Sequence, residues 1–189
     1  MFLNVFFEEI KWILLRKKLK KIKLLIFDVD GVLTDGYLFY DFQGNQMKRF
    51  SVKDGLGIRY LQKAGLNICI ISGGKEDVIK KRSEDLNIKN IYCSVKNKKE
   101  KVEILKDKFE VYKENILFVG DDLNDLTVRK SVGILIAPND ASKYLKRYCD
   151  AILKNNGGYG AVRELAERLL RGTKLLKSIE KDGFSELNS

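Results

Sequence analysis

The sequence predicts an α/β fold, an open and doubly wound parallel sheet, and three observations predict it. Five short runs of Ile, Leu, Val and Phe recur along the chain, helical patterns lie between them, and the first, second and fourth runs end at a turn carrying an acid, a hydroxyl or glycine. Runs this short and this uniformly apolar suit parallel strands covered on both faces, because a wetted face would alternate apolar with polar residues. The order strand–helix–strand–helix then places helices on both sides of a Rossmann-like sheet.

The first strand is Leu24–Phe27. After it, Gly36–Tyr40 and Gln46–Val52 flank Asp41–Asn45, and their alternating aromatic and polar residues predict an inserted β-hairpin. A helix near Leu56–Ala64 precedes the second strand, Asn67–Ile71, and a helix over Lys75–Leu86 precedes the third, Ile88–Tyr92. Helical patterns at Lys99–Phe109 and Asp122–Lys130 flank the strand Ile116–Val119, and Val132–Ile136 is the fifth strand. A last helix, about Ala161–Leu170, follows a glycine-rich turn. From Ser72 to Lys98 there is room for one helix, one strand and a loop, so no cap domain is expected. The tail at 173–189 is charged, poor in aromatics and expected to fray.

Residues 1–21 form an apolar and basic extension ahead of the domain at 22–172. Phe2, Leu3, Val5, Phe6, Phe7, Ile10, Trp12, Ile13, Leu14 and Leu15 are interrupted by Glu8, Glu9 and Lys11, whereas a spanning helix needs about 20 mostly apolar residues. A basic leader and a small-residue cleavage site are both missing, which disfavours a signal peptide. The segment reads as a helix docked on the domain in preference to one lying on a membrane surface.

Composition removes several chemistries. The 189 residues include no histidine, which excludes a Ser-His-Asp triad, a phosphohistidine and a His-ligated metal. Acid–base work falls to Asp, Glu, Lys, Tyr or Cys. Cys69, Cys93 and Cys149 lack metal-ligand or redox spacing, and a reducing, cytoplasmic location is expected. The formal net charge of +10 comes from lysines spread over helical segments, gathered only in Arg16–Lys23. They read first as solvated helix faces, with room for a weak attraction toward a small acidic substrate; no aromatic-interleaved basic groove accompanies them, so a nucleic-acid partner is not expected.

Four motifs at predicted strand ends carry the chemistry, since carboxyl ends of neighbouring strands form the ligand crevice of such sheets. Asp28-Val29-Asp30-Gly31 puts two carboxylates two residues apart, hence on one side of an extended chain. One can attack phosphorus and the other can shuttle the proton; alone, the pattern favours a plain acidic turn. Ser72-Gly73-Gly74 offers a hydroxyl and backbone N–H groups for a phosphoryl oxygen, or a plain helix cap. Lys98 can neutralise phosphate charge, although other lysines surround it. Gly120-Asp121-Asp122, followed by Asp125, offers hard oxygen donors for magnesium, with Asp121 at the strand end completing a site with Asp28. Asp122 and Asp125 either support that metal or cap a helix. Together, in this order, the four make coincidence improbable.

The ordered set resembles the haloacid dehalogenase superfamily in its phosphatase form, over about Ile22–Leu170. That resemblance implies Asp28 as nucleophile, Asp30 as acid/base and, through its backbone carbonyl, metal ligand, Asp121 as acidic metal ligand, and Ser72, Gly73 and Lys98 as the phosphate-holding groups. A narrower likeness, in Asp28–Gly36, Lys48-Arg49-Phe50, Asp54–Ile58 and Gly157–Glu164, is to the capless branch. Its substrates include the 8-phosphate of the lipopolysaccharide sugar acid Kdo and the 9-phosphates of sialic-acid-like nonulosonates. The branch implies a Mg2+-dependent homotetramer in which the hairpin packs against neighbours and helps cover the site. By position it makes Lys48, Asp54 and Arg163 candidate substrate contacts, with the Gly157–Arg163 segment swinging over the sugar acid. This chain departs from it at Gly74, where arginine is usual, at Gly44-Asn45-Gln46-Met47-Lys48, where Gly-x-Glu-x-Lys is common, and at Cys93-Ser94 in place of Gln-Gly.

Overall fold

Alternate residues of each central strand point into two different cores, and this explains why the strands are apolar without a break. In the computed structural model, which describes residues 2–75 and 77–184 and the side chains of 7–75 and 78–184, an N-terminal helix α1 (Phe2–Leu19) leads into β1 (Leu24–Phe27). The side chains of Phe2, Leu3, Val5 and Phe6 and the tail residues 185–189 lie outside the described residues. Leu25 and Phe27 enter one core with Trp12, Ile58 and Leu165; Leu24 and Ile26 enter the other with Val102, Leu105 and Leu145.

The hairpin is shorter than its sequence pattern: β2 (Phe39–Tyr40) pairs with β3 (Gln46–Met47), and a single bridge joins Thr34 to Phe50. Next come α2 (Val52–Lys63), β4 (Asn67–Ile71), α3 (Asp77–Asp85), β5 (Asn90–Tyr92), α4 (Lys98–Lys108), β6 (Ile116–Val119) and β7 (Ile134–Ala137). A short α5 (Lys143–Lys146), an edge strand β8 (Ala151–Ile152), α6 (Ala161–Leu170) and α7 (Lys174–Asp182) complete the chain. The parallel sheet has the order β5-β4-β1-β6-β7-β8, so β1 and β6 lie side by side at its centre.

Three expectations need correction. Asp122–Lys130 is not a helix: only Asp125–Val128 forms a 3-10 turn, because Asp125 turns inward instead of capping an α-helix. The tail does not fray at once, since Thr173 caps α7 through the Leu176 N–H and half-buried Leu175, Leu176 and Ile179 share a face. The sheet has a sixth strand, β8, too short to leave a period in the sequence.

That edge strand explains how α1 sits. In a parallel edge strand every other N–H and C=O faces outward without a partner. At Ile152 the outward N–H donates to Glu8 at 3.0 Å, and the outward carbonyl accepts from Trp12 Nε1 at 3.3 Å. Trp12, Leu15 and Leu19 are buried beneath, and the Arg168 guanidinium lies 4.5 Å over the Trp12 ring. Glu9 bonds Arg168 and Lys154, which holds its carboxyl down at about 2. No helix among the described residues is long and apolar enough to cross a membrane. Trp12→Ala is expected to cost about 3 kcal/mol of unfolding free energy in a urea titration, the usual scale for an emptied aromatic site. A loss under about 1 kcal/mol would show that α1 is tethered to the domain and not part of its core.

Candidate active site

Two strand ends and one helix start place the acidic cluster. β1 and β6 are in register as neighbours, so Asp28 and Asp121 leave the sheet at adjacent carboxyl ends, and the Asp28 N–H still donates to Val119 O at 3.0 Å. The chain then turns tightly, with the Val29 carbonyl accepting from the N–H groups of Val32, Leu33 and Thr34. Gly31 is required at this turn: its φ is +78°, and a Cβ there would sit 2.0 Å from Asp121 Oδ2. From α4, Lys98 reaches in as a buried ammonium, 2.9 Å from Asp28 Oδ1 and 2.6 Å from Asp125 Oδ1.

Carboxylate oxygens of Asp28, Asp121 and Asp125 all lie within 4.8 Å of one another. Like charges so close, with little water, oppose ionisation. Burial, followed by the Asp125 charge, pushes the Asp28 carboxyl up to about 7 even though Lys98 offsets part of it. Burial, followed by the charges of Asp28, Asp125 and Asp122, pushes Asp121 up to about 8. Burial works against the Lys98 charge, but Asp28 and Asp125 outweigh it and raise its pKa. Three hard-oxygen donors carrying more negative charge than one lysine balances form a set that can hold a divalent cation.

Asp30 stands beside this cluster, half exposed, and both its oxygens accept from Lys48 Nζ at 2.7 Å. Ser72 is buried next to it at the end of β4, its Oγ accepting from the Gly74 N–H at 3.0 Å, while Gly73 is exposed at the mouth. Gly74 resolves its own oddity. A Cβ there would lie 3.3 Å from Lys48 Nζ and 3.4 Å from Asp30 Oδ2, so the missing side chain leaves the space in which Lys48 meets Asp30. The sequence pattern proposes Lys48 for the substrate and does not foresee this pairing, because the two residues are joined only by the hairpin's return.

The remaining candidates are placed differently. Asp125 is fully buried, with Oδ1 on Lys98 and Oδ2 accepting from the Asp121 N–H at 2.9 Å, so it braces the cluster from behind. Asp122 is exposed and bonds the Leu123 N–H in its own turn. Asp54 is no crevice residue: it is buried, and its two oxygens cap the start of α6 by accepting from the N–H groups of Gly160 and Arg163. Arg163 is likewise turned aside, its guanidinium bonded to Glu167 at 2.6 Å and stacked over Tyr60 at 4.5 Å. The glycine-rich segment packs against the turn after β1. Gly158 N–H donates to Val32 O, Gly157 N–H donates to Asp140, and a Cβ on Gly157 would meet the Gly31 carbonyl oxygen at 1.9 Å. Arg49 closes the outer side, paired with Asp35 at 2.6 Å and hydrogen-bonded to the Tyr159 hydroxyl.

An α/β sheet with two aspartates after its first central strand, a lysine-bridged acidic cluster and no cap defines a haloacid dehalogenase-like hydrolase. The model of that hydrolase family matches residues 90–165. The chain is 38% identical over 157 residues to the 3-deoxy-D-manno-octulosonate 8-phosphate phosphatase of Haemophilus influenzae, covering 83% of this chain and 87% of that one. The crystal structure of the phosphatase of the same name from Yersinia pestis superposes with a TM-score of 0.83 at 32% identity, covering 86% of this chain and 88% of that one. The Moraxella catarrhalis phosphatase, solved with a magnesium ion, a phosphate ion and a Kdo molecule, gives 0.81 at 32% identity over 88% of this chain and 94% of its own. The chain therefore belongs to the haloacid dehalogenase-like phosphatases, in the family of these enzymes.

The raised carboxyls set a stability rule. Between about pH 4, where such groups ionise in an unfolded chain, and about pH 8, the folded protein holds more protons than the unfolded one. Rising pH therefore destabilises the cation-free protein across that window. A bound divalent cation opposes the effect, so the gain in Tm on replacing chelator with cation is expected to widen from about pH 5 to about pH 8.5. A gain that stays level with pH would mean that Asp28 and Asp121 do not share the cation.

Proposed function

We propose that this protein hydrolyses the 8-phosphate of Kdo by way of an aspartyl-phosphate on Asp28, with Mg2+ as cofactor. The observation that carries the proposal is the Lys98 ammonium 2.9 Å from Asp28 Oδ1, which aims a carboxylate into the crevice beside Asp121 and Asp30. Asp28 attacks phosphorus, the bond to the ester oxygen breaks, and the departing alkoxide takes a proton from Asp30. Water then attacks the aspartyl-phosphate with Asp30 taking its proton, which frees phosphate and Asp28. Ser72 Oγ–H, the Gly73 backbone and Lys98 are suited to the phosphoryl oxygens as charge grows on them. Magnesium fits the oxygen donor set, with Asp28 and Asp121 as its carboxylates because Asp125 is already engaged; when bound it supplies positive charge to the phosphoryl group.

Lys48, its side chain buried, holds both oxygens of the more open Asp30, and its charge also suits a sugar-acid carboxylate brought up beside Asp30. The named activity of the relatives supports the Kdo reading; the Gly74 departure keeps a nonulosonate 9-phosphate as the alternative substrate. A homotetramer is part of the proposal. Tyr37, Phe39, Tyr40, Phe42 and Met47 of the hairpin are exposed, Phe42 by 97%, on a crevice that no cap covers, and neighbouring subunits would bury them and exclude water.

Phosphate release from Kdo 8-phosphate and from N-acetylneuraminate 9-phosphate, in magnesium and in chelator, tests the reading. Magnesium-dependent preference for the first is expected; preference for the second reassigns the substrate and leaves the chemistry in place. Asp28→Asn is expected to lower kcat at least about 1,000-fold, and survival of most turnover would remove the covalent step. Phe42→Asp is expected to reduce the oligomer seen by light scattering, and an unaltered mass would take the hairpin out of the interface.

A further inference from the structure

We propose that the outer face of α1, together with a basic recess beside it, docks this protein on an anionic lipid bilayer. α1 is committed on one side only. Trp12, Leu15 and Leu19 face the core, while Ile13 and Leu14 on the outer side are 69% and 74% exposed. The helix then runs into Arg16, Lys17, Lys18, Lys20 and Lys21, so apolar side chains and ammonium groups share one surface. Lys18 and Lys21 also line a recess of about 620 Å³ with Lys113, Arg129 and Lys130, against which stands one acid, Glu114. Arg129 is paired with Asp150, but the four lysines have no ion-pair partner among the described residues.

The chemistry of the surface selects the occupant. Burying Ile13 and Leu14 needs an apolar medium, and filling the recess needs negative charge. Nucleic acid supplies the charge and offers the aliphatic side chains little. A second copy supplies apolar surface but brings like charges together. The interfacial zone of an anionic bilayer supplies both, with aliphatic side chains below the headgroups and lysines among them. Placement agrees with this. The recess lies where β1, β6 and β7 begin, and Asp28 and Asp121 lie where β1 and β6 end, so a docked molecule keeps its crevice open to water.

Sedimentation of the full chain with phosphatidylcholine vesicles, with and without phosphatidylglycerol, tests the proposal. Binding to the anionic vesicles is expected to exceed binding to neutral ones at least about ten-fold and to fade at high salt. The combined K17E, K18E and K21E variant should abolish it, and the Ile13→Ser, Leu14→Ser pair should weaken it several-fold, with thermal unfolding of both variants confirming the fold. Equal pelleting with neutral vesicles, or none with either kind, overturns the proposal. So does salt-sensitive binding indifferent to the Ile13 and Leu14 changes, or equally tight retention of DNA, since either result reduces the surface to general attraction for polyanions. Loss of self-association in the serine pair would reassign the face to a second copy.

Discussion

Everything at the crevice depends on one buried ammonium. Lys98 lies between Asp28 and Asp125, and without it two buried carboxylates would face each other. Such an arrangement is unfavourable in isolation, because desolvating charges costs more than an imperfect pairing returns. The surrounding structure makes the pairing close and complete: Asp125 is held by the Asp121 N–H, Asp28 is fixed by its ladder bond to β6, and no described buried side-chain polar atom is left without a partner. Residual repulsion among the acids is then available to a cation, whose binding relieves it.

The same constraint accounts for what surrounds the cluster. Gly31 is bare because Asp121 occupies the space of its side chain, and Gly157 is bare because its backbone lies on the Gly31 carbonyl. Asp54 then ties α2 to the first turn of α6, so the turn after β1 is pressed from above by a segment that has itself been capped. Rigidity here comes from backbone packed on backbone. The hairpin, by contrast, leans on a two-residue ladder and leaves its aromatics exposed.

How much of this was legible in the sequence depended on how far a residue's role reaches along the chain. Leu24–Phe27, Asn67–Ile71 and Ile116–Val119 are strands as their apolar runs predict, because burial on both faces writes itself into every position. Asp28, Asp121 and Lys98 come together as their strand-end and helix-start positions require. Asp125 was misread as part of a helix because its inward turn serves Lys98, 27 residues away. The contact between Asp54 and the Arg163 N–H is not legible in the sequence, because a helix cap made across more than a hundred residues leaves no local period. β8 escaped notice since two residues cannot show one, and its outward groups are satisfied by Glu8 and Trp12 from the far end of the chain.

The contact between Gly157 and Gly31 also orders events in time. Synthesis delivers the Asp28–Gly31 turn before the glycine segment that lies more than a hundred residues further on, while domains fold as units once their parts have emerged. The turn at Asp28 therefore waits without its roof while the intervening chain is made, and Asp121 and Asp125 arrive only late in that interval. A chain broken between Asp125 and α6 carries Asp28, Asp30, Asp121 and Asp125 but lacks the glycine segment that packs on the turn at Gly31.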